Sequence, residues 1–305
     1  MTREELNEEI HQEVEEEQKK ETKKKIIKLL IKSILVILII SFLFYSYTTY
    51  VSTVKIKVRE YRIINEKIPS TFNGLKIIQL SDLHFGSTMF KENMKDIKKL
   101  VNERKPDIIV FTGDLISKNY NLTSEEQELL MKDLEELSAA LGKYAILGDE
   151  DKEEEVITIF NQSNFTILKN ESDFIYKENN NPILLIGLSS TEKGQNIDSA
   201  FNYFNQETHN SNIYTITILH EPDTVDSILS KYSTDLFLAG HSHNGNIRIP
   251  FINKALRKVK GATKYDQDYY KINHSELYIS SGLGTETGLR LFCRPSINFF
   301  RLSNQ

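Results

Sequence analysis

Leu80-Ser81-Asp82-Leu83-His84 is the stretch of sequence on which the fold of this chain depends. It ends an apolar run at residues 75–80, which predicts a short buried strand. Asp82 and His84 follow that strand two residues apart, so their side chains point the same way and together can bind one cation. Taken alone the pair is weak evidence, because Asp-x-His also arises by chance in turns.

Four later apolar runs end in the same kinds of residue, and each run predicts a buried strand. The sequences that follow them are Thr112-Gly113-Asp114, Gly148-Asp149-Glu150-Asp151, His220-Glu221-Pro222 and Gly240-His241-Ser242-His243. A lone buried histidine is usually satisfied by one hydrogen bond, but four of the seven histidines follow predicted strands. The repetition therefore predicts a metal centre. Carboxylate and imidazole ligands without a thiolate favour Mn, Fe, Zn or a mixed pair over a structural zinc site.

Predicted helices lie between several of these predicted strands. Residues 91–104 and 124–141 carry apolar residues at helical spacing, and Ser124 with Gln127 predicts a capping box at the start of the second helix. Residues 54–64 alternate as an edge strand. Strands that alternate with helices and then continue to the C-terminus predict a layered α/β domain.

The five blocks, in this order, resemble those of the calcineurin-like metallophosphoesterases. Flanking sequences are similar to the membrane-associated bacterial branch of that superfamily. These sequences are Phe72-Asn73-Gly74-Leu75-Lys76-Ile77, Gly245-Asn246-Ile247-Arg248-Ile249-Pro250, Ser281-Gly282-Leu283-Gly284 and Arg290-Leu291-Phe292. The resemblance covers residues 54–302 and implies a four-layer αββα sandwich, with the site on loops at the strand ends.

The resemblance also implies the metal ligands and the reaction. One metal ion would be bound by Asp82, His84 and His243, a second by Asp149, His220 and His241, and Asp114 would bridge the two. Two divalent ions polarise a phosphoryl group and generate hydroxide at neutral pH. The chain is therefore expected to hydrolyse a phosphoester or pyrophosphate bond by attack of metal-bound hydroxide, without a protein nucleophile.

One block departs from the family pattern. The family has Gly-Asn-His followed by Asp or Glu, whereas this chain has Asp149 and Glu150 in place of the Asn and the His. In the family that His donates a proton to the leaving oxygen, but a carboxyl group beside two divalent cations stays ionised. Because general-acid catalysis is worth about 10²–10⁴ in rate, we expect a slowed enzyme. Glu150 and Asp151 are the candidate catalytic residues, and Asp151 would orient a neighbour.

Two functions of different classes stay open. The first is a metal-dependent phosphohydrolase of the phosphodiesterase or pyrophosphatase type, acting on a phosphorylated small molecule or a lipid-linked substrate at the membrane. The alternative is a catalytically weak metal-binding module with a binding or regulatory role there. The formal net charge of -5 argues against nucleic acid as a partner.

A local basic loop follows the last ligand block. It contains Lys254, Arg257, Lys258, Lys260 and Lys264. We interpret it as a solvated loop, and the alternative is contact with anionic lipid headgroups or a phosphorylated substrate.

Residues 33–54 predict a membrane anchor, because they contain no charged residue over 22 positions and a helix needs about 20 apolar residues to cross the bilayer. A cleaved signal peptide is the alternative, but no small-x-small site follows. Seven lysines at residues 19–32 precede this segment, and four basic residues at 55–62 follow it. The positive-inside rule therefore predicts a cytoplasmic N-terminus and an extracytoplasmic catalytic domain.

We predict three parts for the chain: a charged N-terminal tail at residues 1–25, a transmembrane anchor at 26–53 and a metallophosphoesterase domain at 54–305. Nine glutamates within residues 1–21 favour a solvated or disordered tail over a partner-binding helix. The single cysteine, Cys293, excludes an intramolecular disulfide but does not decide the compartment.

Overall fold

The chain divides into two units, Met1–Thr48 and Thr49–Gln305. The computed structural model describes residues 3–48, 52–53, 55–89, 91–178, 181–206, 209–210, 212–248, 259–286 and 288–305. The three predicted parts stay a prediction, although one helix, α1 (Arg3–Ser46), crosses the expected boundary between tail and anchor without a break.

Helix α1 carries two kinds of surface along its length. In its charged part, Glu15 pairs with Lys19 and Glu16 with Lys20 at helical spacing, and each such exposed pair supports the helix by about 0.2–0.5 kcal/mol. Large apolar side chains are exposed between residues 26 and 45. By length and composition, the segment Glu13–Ser46 is able to cross a membrane.

The second unit is built from short strands and short helices. Its strands are β1 (Lys57–Ile64), β2 (Lys76–Leu80), β3 (Ile108–Thr112), β4 (Gly142–Ile146), β5 (Thr166–Ile167), β6 (Glu171–Ile175), β7 (Ile183–Leu188), β8 (Thr215–Leu219), β9 (Leu236–Ala239), β10 (Tyr269–Ile272), β11 (Ser275–Ile279) and β12 (Ser296–Ser303). Its helices are α2 (Lys91–Asn102), α3 (Ser124–Glu135), α4 (Glu153–Gln162), α5 (Ile197–Ala200) and α6 (Val225–Leu229).

The strands form two six-stranded sheets, in the orders β1-β12-β2-β3-β4-β5 and β10-β11-β9-β8-β7-β6. Strands β2, β3, β4 and β5 run parallel in the first sheet. Strands β7, β8, β9 and β11 run parallel in the second sheet. Because parallel strands end at the same edge of their sheet, the loops after β2, β3 and β4 are neighbours, and so are the loops after β8 and β9.

Successive side chains of a strand point to opposite faces of its sheet, and this alternation builds the layers. Ile77 and Ile108 of the first sheet share a buried cluster with Ile216 and Leu238 of the second, so the two sheets pack face to face. The neighbouring residues along the strands of the first sheet, such as Ile78 and Ile109, point to its other face. There they form a second cluster with helices α2, α3 and α4. A third cluster joins the second sheet to α5 and α6. The four layers confirm the αββα sandwich, and β1 is an edge strand as predicted.

Helix α3 begins at Ser124 as predicted, but its capping residues and its C-terminal end differ from the prediction. Its capping box lies one residue earlier: Thr123 Oγ1 accepts from the Glu126 backbone N–H at 3.2 Å, and Glu126 Oε2 accepts from the Thr123 N–H at 2.9 Å. The helix ends at Glu135 rather than residue 141. There, Lys143 of β4 donates to the carbonyl oxygens of Leu134 and Glu135, which satisfies two acceptors that a longer helix would otherwise have used.

Candidate metal centre

The structure brings together all seven side chains that the sequence predicts as metal ligands. Their nitrogen and oxygen atoms form two groups, and within each group the atoms lie within 4.8 Å of one another. The first group is Asp82, His84 and His243, and the second is Asp114, Asp149, His220 and His241. Each residue follows a strand end, because the parallel strands deliver their loops to a shared edge.

In the first group, two imidazole nitrogens face each other. His84 Nε2 lies 3.0 Å from His243 Nε2, and His243 Nε2 lies 3.6 Å from Asp82 Oδ1. All three residues are buried. Two nitrogen lone pairs and a carboxylate oxygen at these distances repel one another unless a proton or a cation lies among them.

In the second group, one carboxylate oxygen lies between two imidazoles. Asp149 Oδ1 is 2.9 Å from His220 Nε2 and 3.0 Å from His241 Nδ1. Asp114 links the two groups, because its Oδ2 lies 3.1 Å from His220 Nε2 and 3.8 Å from His84 Nε2. This is the place that a bridging ligand needs.

The second nitrogen of each imidazole is held by a hydrogen-bond acceptor outside the groups. The bonds run from His220 Nδ1 to the Thr112 carbonyl (2.7 Å), from His241 Nε2 to the Lys260 carbonyl (2.7 Å), from His243 Nδ1 to the Gly284 carbonyl (3.1 Å) and from His84 Nδ1 to Glu286 Oε1 (3.1 Å). Carbonyl and carboxylate oxygens only accept, so the nitrogen that faces them carries the proton. In the neutral imidazole, the other nitrogen then has a lone pair to offer to a cation within the group, which is the arrangement of a metal-binding histidine. The residues present therefore fit metal ions.

The pKa shifts of the ligand groups also bear on the binding of cations. Burial lowers the pKa of His84, but its contacts with Glu150 and Glu286 outweigh burial and raise that pKa to about 10. Burial raises the pKa of Asp149, but hydrogen bonds to the two histidines of its group outweigh burial and lower it. The raised pKa of His84 reflects the carboxylates around it, whose charge a divalent cation neutralises as well as a proton does, and the lowered pKa of Asp149 reflects the two imidazoles that hold its charged form.

The backbone at these residues is strained. Five of the seven have positive φ angles: Asp82 (50°), His84 (44°), Asp114 (58°), His241 (65°) and His243 (46°). A non-glycine residue in this region costs of order 1–3 kcal/mol, and such residues cluster at functional sites.

The sequence model of the calcineurin-like phosphoesterase family matches residues 75–245. The chain belongs to this family. That match confirms the resemblance stated from the sequence blocks. Phosphoesterases of this family use divalent metal ions, and the two groups supply the nitrogen and oxygen donors that such ions take.

Three relatives illustrate the breadth of this phosphoesterase family. The chain is 28% identical to YkuE of Bacillus subtilis, an uncharacterized metallophosphoesterase, with 85% of this chain and 90% of YkuE covered. It is 27% identical to the UDP-2,3-diacylglucosamine pyrophosphatase LpxG of Chlamydia muridarum, covering 77% and 86%. It is 24% identical to the phosphodiesterase YaeI of Escherichia coli, covering 74% and 82%.

A small cavity of about 100 Å³ lies beside the two groups in this phosphoesterase, and Glu150 lines it together with ligands of both groups. The Glu150 backbone N–H donates to Asp114 Oδ1 at 3.0 Å, and its Oε2 lies 3.4 Å from His84 Nδ1. Glu150 therefore faces the cavity beside the two ligand groups.

Asp151 occupies a different place. It is fully buried, does not line the cavity, and accepts hydrogen bonds from the backbone N–H groups of Asp114 (3.0 Å), Leu115 (2.8 Å) and Gly148 (2.8 Å). Burial and the neighbouring Asp114 carboxylate raise the pKa of Asp151 to about 6. Its contacts tie the loop after β3 to the loop after β4, and its role in orienting a neighbour stays a prediction.

Two residues near the site were missed by the sequence analysis. Glu286 holds His84, and the fully buried Arg290 donates to the carbonyl oxygens of Ser281 and Gly284 at 2.6 and 2.5 Å. Neither has a ligand-like spacing. The similarity of the segments around them to the membrane-associated branch was the only signal available.

The basic loop is only partly described. Lys254, Arg257 and Lys258 lie outside the described residues. Lys264 pairs with Asp226 at 2.6 Å, while the backbone carbonyl of Lys260 is the acceptor for His241. Contact of this loop with lipid or substrate stays a prediction.

Gly148 tests how closely the loops after β3 and β4 must approach. A Cβ atom at Gly148 would lie 2.1 Å from Asp114 Oδ1, so Gly148→Ala must displace the bridging carboxylate. Overpacking of this kind costs about 1–3 kcal/mol, and we expect Mn²⁺ affinity to fall about 10–100-fold. The measurement is calorimetric titration of the full chain in detergent after removal of metal by a chelator.

The control is Gly194→Ala: nothing lies within 4 Å of a Cβ atom added there, but its φ of +75° makes alanine strained, so it reports what backbone strain alone does to the protein. This variant should keep wild-type Mn²⁺ affinity. Unchanged affinity in Gly148→Ala would contradict the bridging role of Asp114.

Proposed function

We propose that this phosphoesterase is a membrane-anchored hydrolase that cleaves a phosphoester or pyrophosphate bond with the help of two divalent metal ions. The observation that carries the proposal is the pair of ligand groups that meet at Asp114. When bound there, the two ions would polarise the phosphoryl oxygens and supply hydroxide near neutral pH. Support for a hydrolase also comes from the family match.

The seven ligand residues would divide between the two metal ions. Asp82, His84 and His243 would hold one ion, and Asp149, His220 and His241 the other, with Asp114 shared. Oxygen and nitrogen donors without thiolate suit Mn, Fe, Zn or a mixed pair. The cysteine does not compete, because the Cys293 thiol is buried and donates to the His243 carbonyl.

The residues that line the cavity would make phosphate binding depend on the metal ions. Among the described residues no lysine or arginine lines the cavity, whereas Glu150 and Glu286 both do. Within the cavity, as far as the described residues line it, attraction for an anionic phosphoryl group would come from the charge of the bound cations. This charge distribution favours substrates whose leaving oxygen needs little protonation, such as pyrophosphates and aryl esters.

The substrate class that we propose is a phosphorylated small molecule or a lipid-linked phosphate at the membrane surface. Support comes from two relatives, one named as a UDP-2,3-diacylglucosamine pyrophosphatase and one as a phosphodiesterase. The helix that is able to span a bilayer adds to this support, because it would keep the enzyme at the membrane surface.

A second candidate function is a metal-binding module with little turnover that acts as a binding or regulatory protein. The carboxyl group of Glu150 at the cavity favours it, since an ionised carboxylate cannot protonate a leaving group and repels phosphate.

Hydrolysis is tested first with the full chain in detergent and Mn²⁺, using an aryl phosphodiester, an aryl monoester and a nucleotide pyrophosphate. We expect metal-dependent turnover that falls about 10³-fold or more in Asp114→Ala, because the shared carboxylate is lost from both metal positions. Asp133→Ala is the control, since Asp133 pairs with Lys98 on the helical layer. Two bound metals without turnover on all three substrates would favour the regulatory module.

Glu150→His tests the unusual block. Restoring an imidazole that can donate a proton should raise turnover of poorly activated alkyl esters about 10²-fold and leave activated aryl esters nearly unchanged. The measurement is kcat on an alkyl and an aryl diester that share one ester group. A fall in kcat on both substrates would mean that Glu150 has a catalytic role of its own.

The orientation follows from the lysines that precede the membrane segment. We expect protease added to intact bacterial cells that express the full chain to digest residues after the segment and to leave an N-terminal epitope intact. Protection of both parts, with digestion after cell lysis, would place the catalytic domain in the cytoplasm.

A further inference from the structure

His84 differs from the other three imidazoles in what holds its second nitrogen. The others donate to backbone carbonyls, which are neutral and do not depend on a side chain. His84 Nδ1 donates instead to a carboxylate, Glu286 Oε1, at 3.1 Å. His84 itself is only 1% exposed, so the orientation of its ring depends on this one acceptor and its immediate neighbours.

The loop that carries Glu286 is fixed to the loop that carries His84. The backbone N–H of Gly284 donates to the Asp82 carbonyl at 2.7 Å. Ser87 Oγ donates to the Thr285 carbonyl at 2.8 Å. A Cβ atom at Gly284 would lie 2.1 Å from the Leu83 carbonyl oxygen, so only glycine allows this approach. Glu286 is thereby held in register with the histidine that it contacts.

A second carboxylate competes for the same proton. Glu150 Oε2 lies 3.4 Å from His84 Nδ1, beyond the 3.1 Å of Glu286. One N–H group makes one strong hydrogen bond, so the nearer carboxylate takes it. Glu150 then keeps an oxygen without a hydrogen-bond partner.

We propose that Glu286 is a positioning residue: it holds His84 Nδ1–H, directs Nε2 at the first metal position and leaves Glu150 free to face the cavity. The inference rests on the metal centre proposed above and adds to it a residue that sets the affinity of one metal position separately from the other. A carboxylate acceptor orients a metal-binding imidazole and makes it a stronger ligand, an effect worth about 10–100-fold in metal affinity.

The test is Mn²⁺ titration of the full chain in detergent, followed by calorimetry and by electron paramagnetic resonance of the coupled ions. Wild type should bind two ions. In Glu286→Ala, one site should weaken about 10–100-fold while the other keeps its affinity, and the coupled signal should need more Mn²⁺ to develop. Glu286→Gln should lose less, because its amide oxygen still accepts from Nδ1–H.

The control is Glu171→Ala, which removes an exposed carboxylate of strand β6 that belongs to neither ligand group and does not line the cavity. Adding Glu150→Ala to Glu286→Ala should weaken the same site further, since Glu150 is the next acceptor available. Two wild-type affinities in Glu286→Ala, or equal loss at both sites, would overturn the inference. Absence of Mn²⁺ binding in wild type would instead overturn the proposed metal centre.

Discussion

The carboxylate of Asp114 is the group on which the rest of the site depends. Its Oδ2 lies within reach of one histidine from each ligand group, and its Oδ1 accepts the backbone N–H of Glu150. Its own backbone N–H is held by the buried Asp151. Because several loops meet at this one side chain, a shift at any of them changes both ligand groups together.

The number of carboxylates at the site makes the binding of an anion depend on bound cations. Three belong to the ligand groups, and Glu150 and Glu286 line the same cavity. Without cations, such a wall repels a phosphoryl group. Two divalent ions would reverse that charge, and no lysine or arginine among the described residues lines the cavity, so affinity for substrate and affinity for metal would be linked. Asp149 and Glu150 would strengthen that link, since both add a carboxylate to the wall of the cavity.

Most of the fold and of the site could be predicted from local patterns. Short apolar runs that stop at Asp or His predicted five strand ends correctly, because strand burial and the turn that follows are both local properties. The failures were also local in origin. Thr123 and Glu126 cap α3 instead of Ser124 and Gln127, since both pairs satisfy the same spacing rule and only the path of the preceding loop decides between them.

The sequence by itself determined which residue types stand at the strand ends, and therefore that the chemistry is metal-dependent. It also determined the apolar segment near the N-terminus, because length and composition alone decide whether a helix is able to span a bilayer. Only the tertiary structure decided which nitrogen of each histidine faces the metal position. The acceptors that decide this, such as the Thr112 and Gly284 carbonyls and Glu286, come from loops distant in sequence. Contacts between such loops depend on how the two sheets pack, and no local pattern records them.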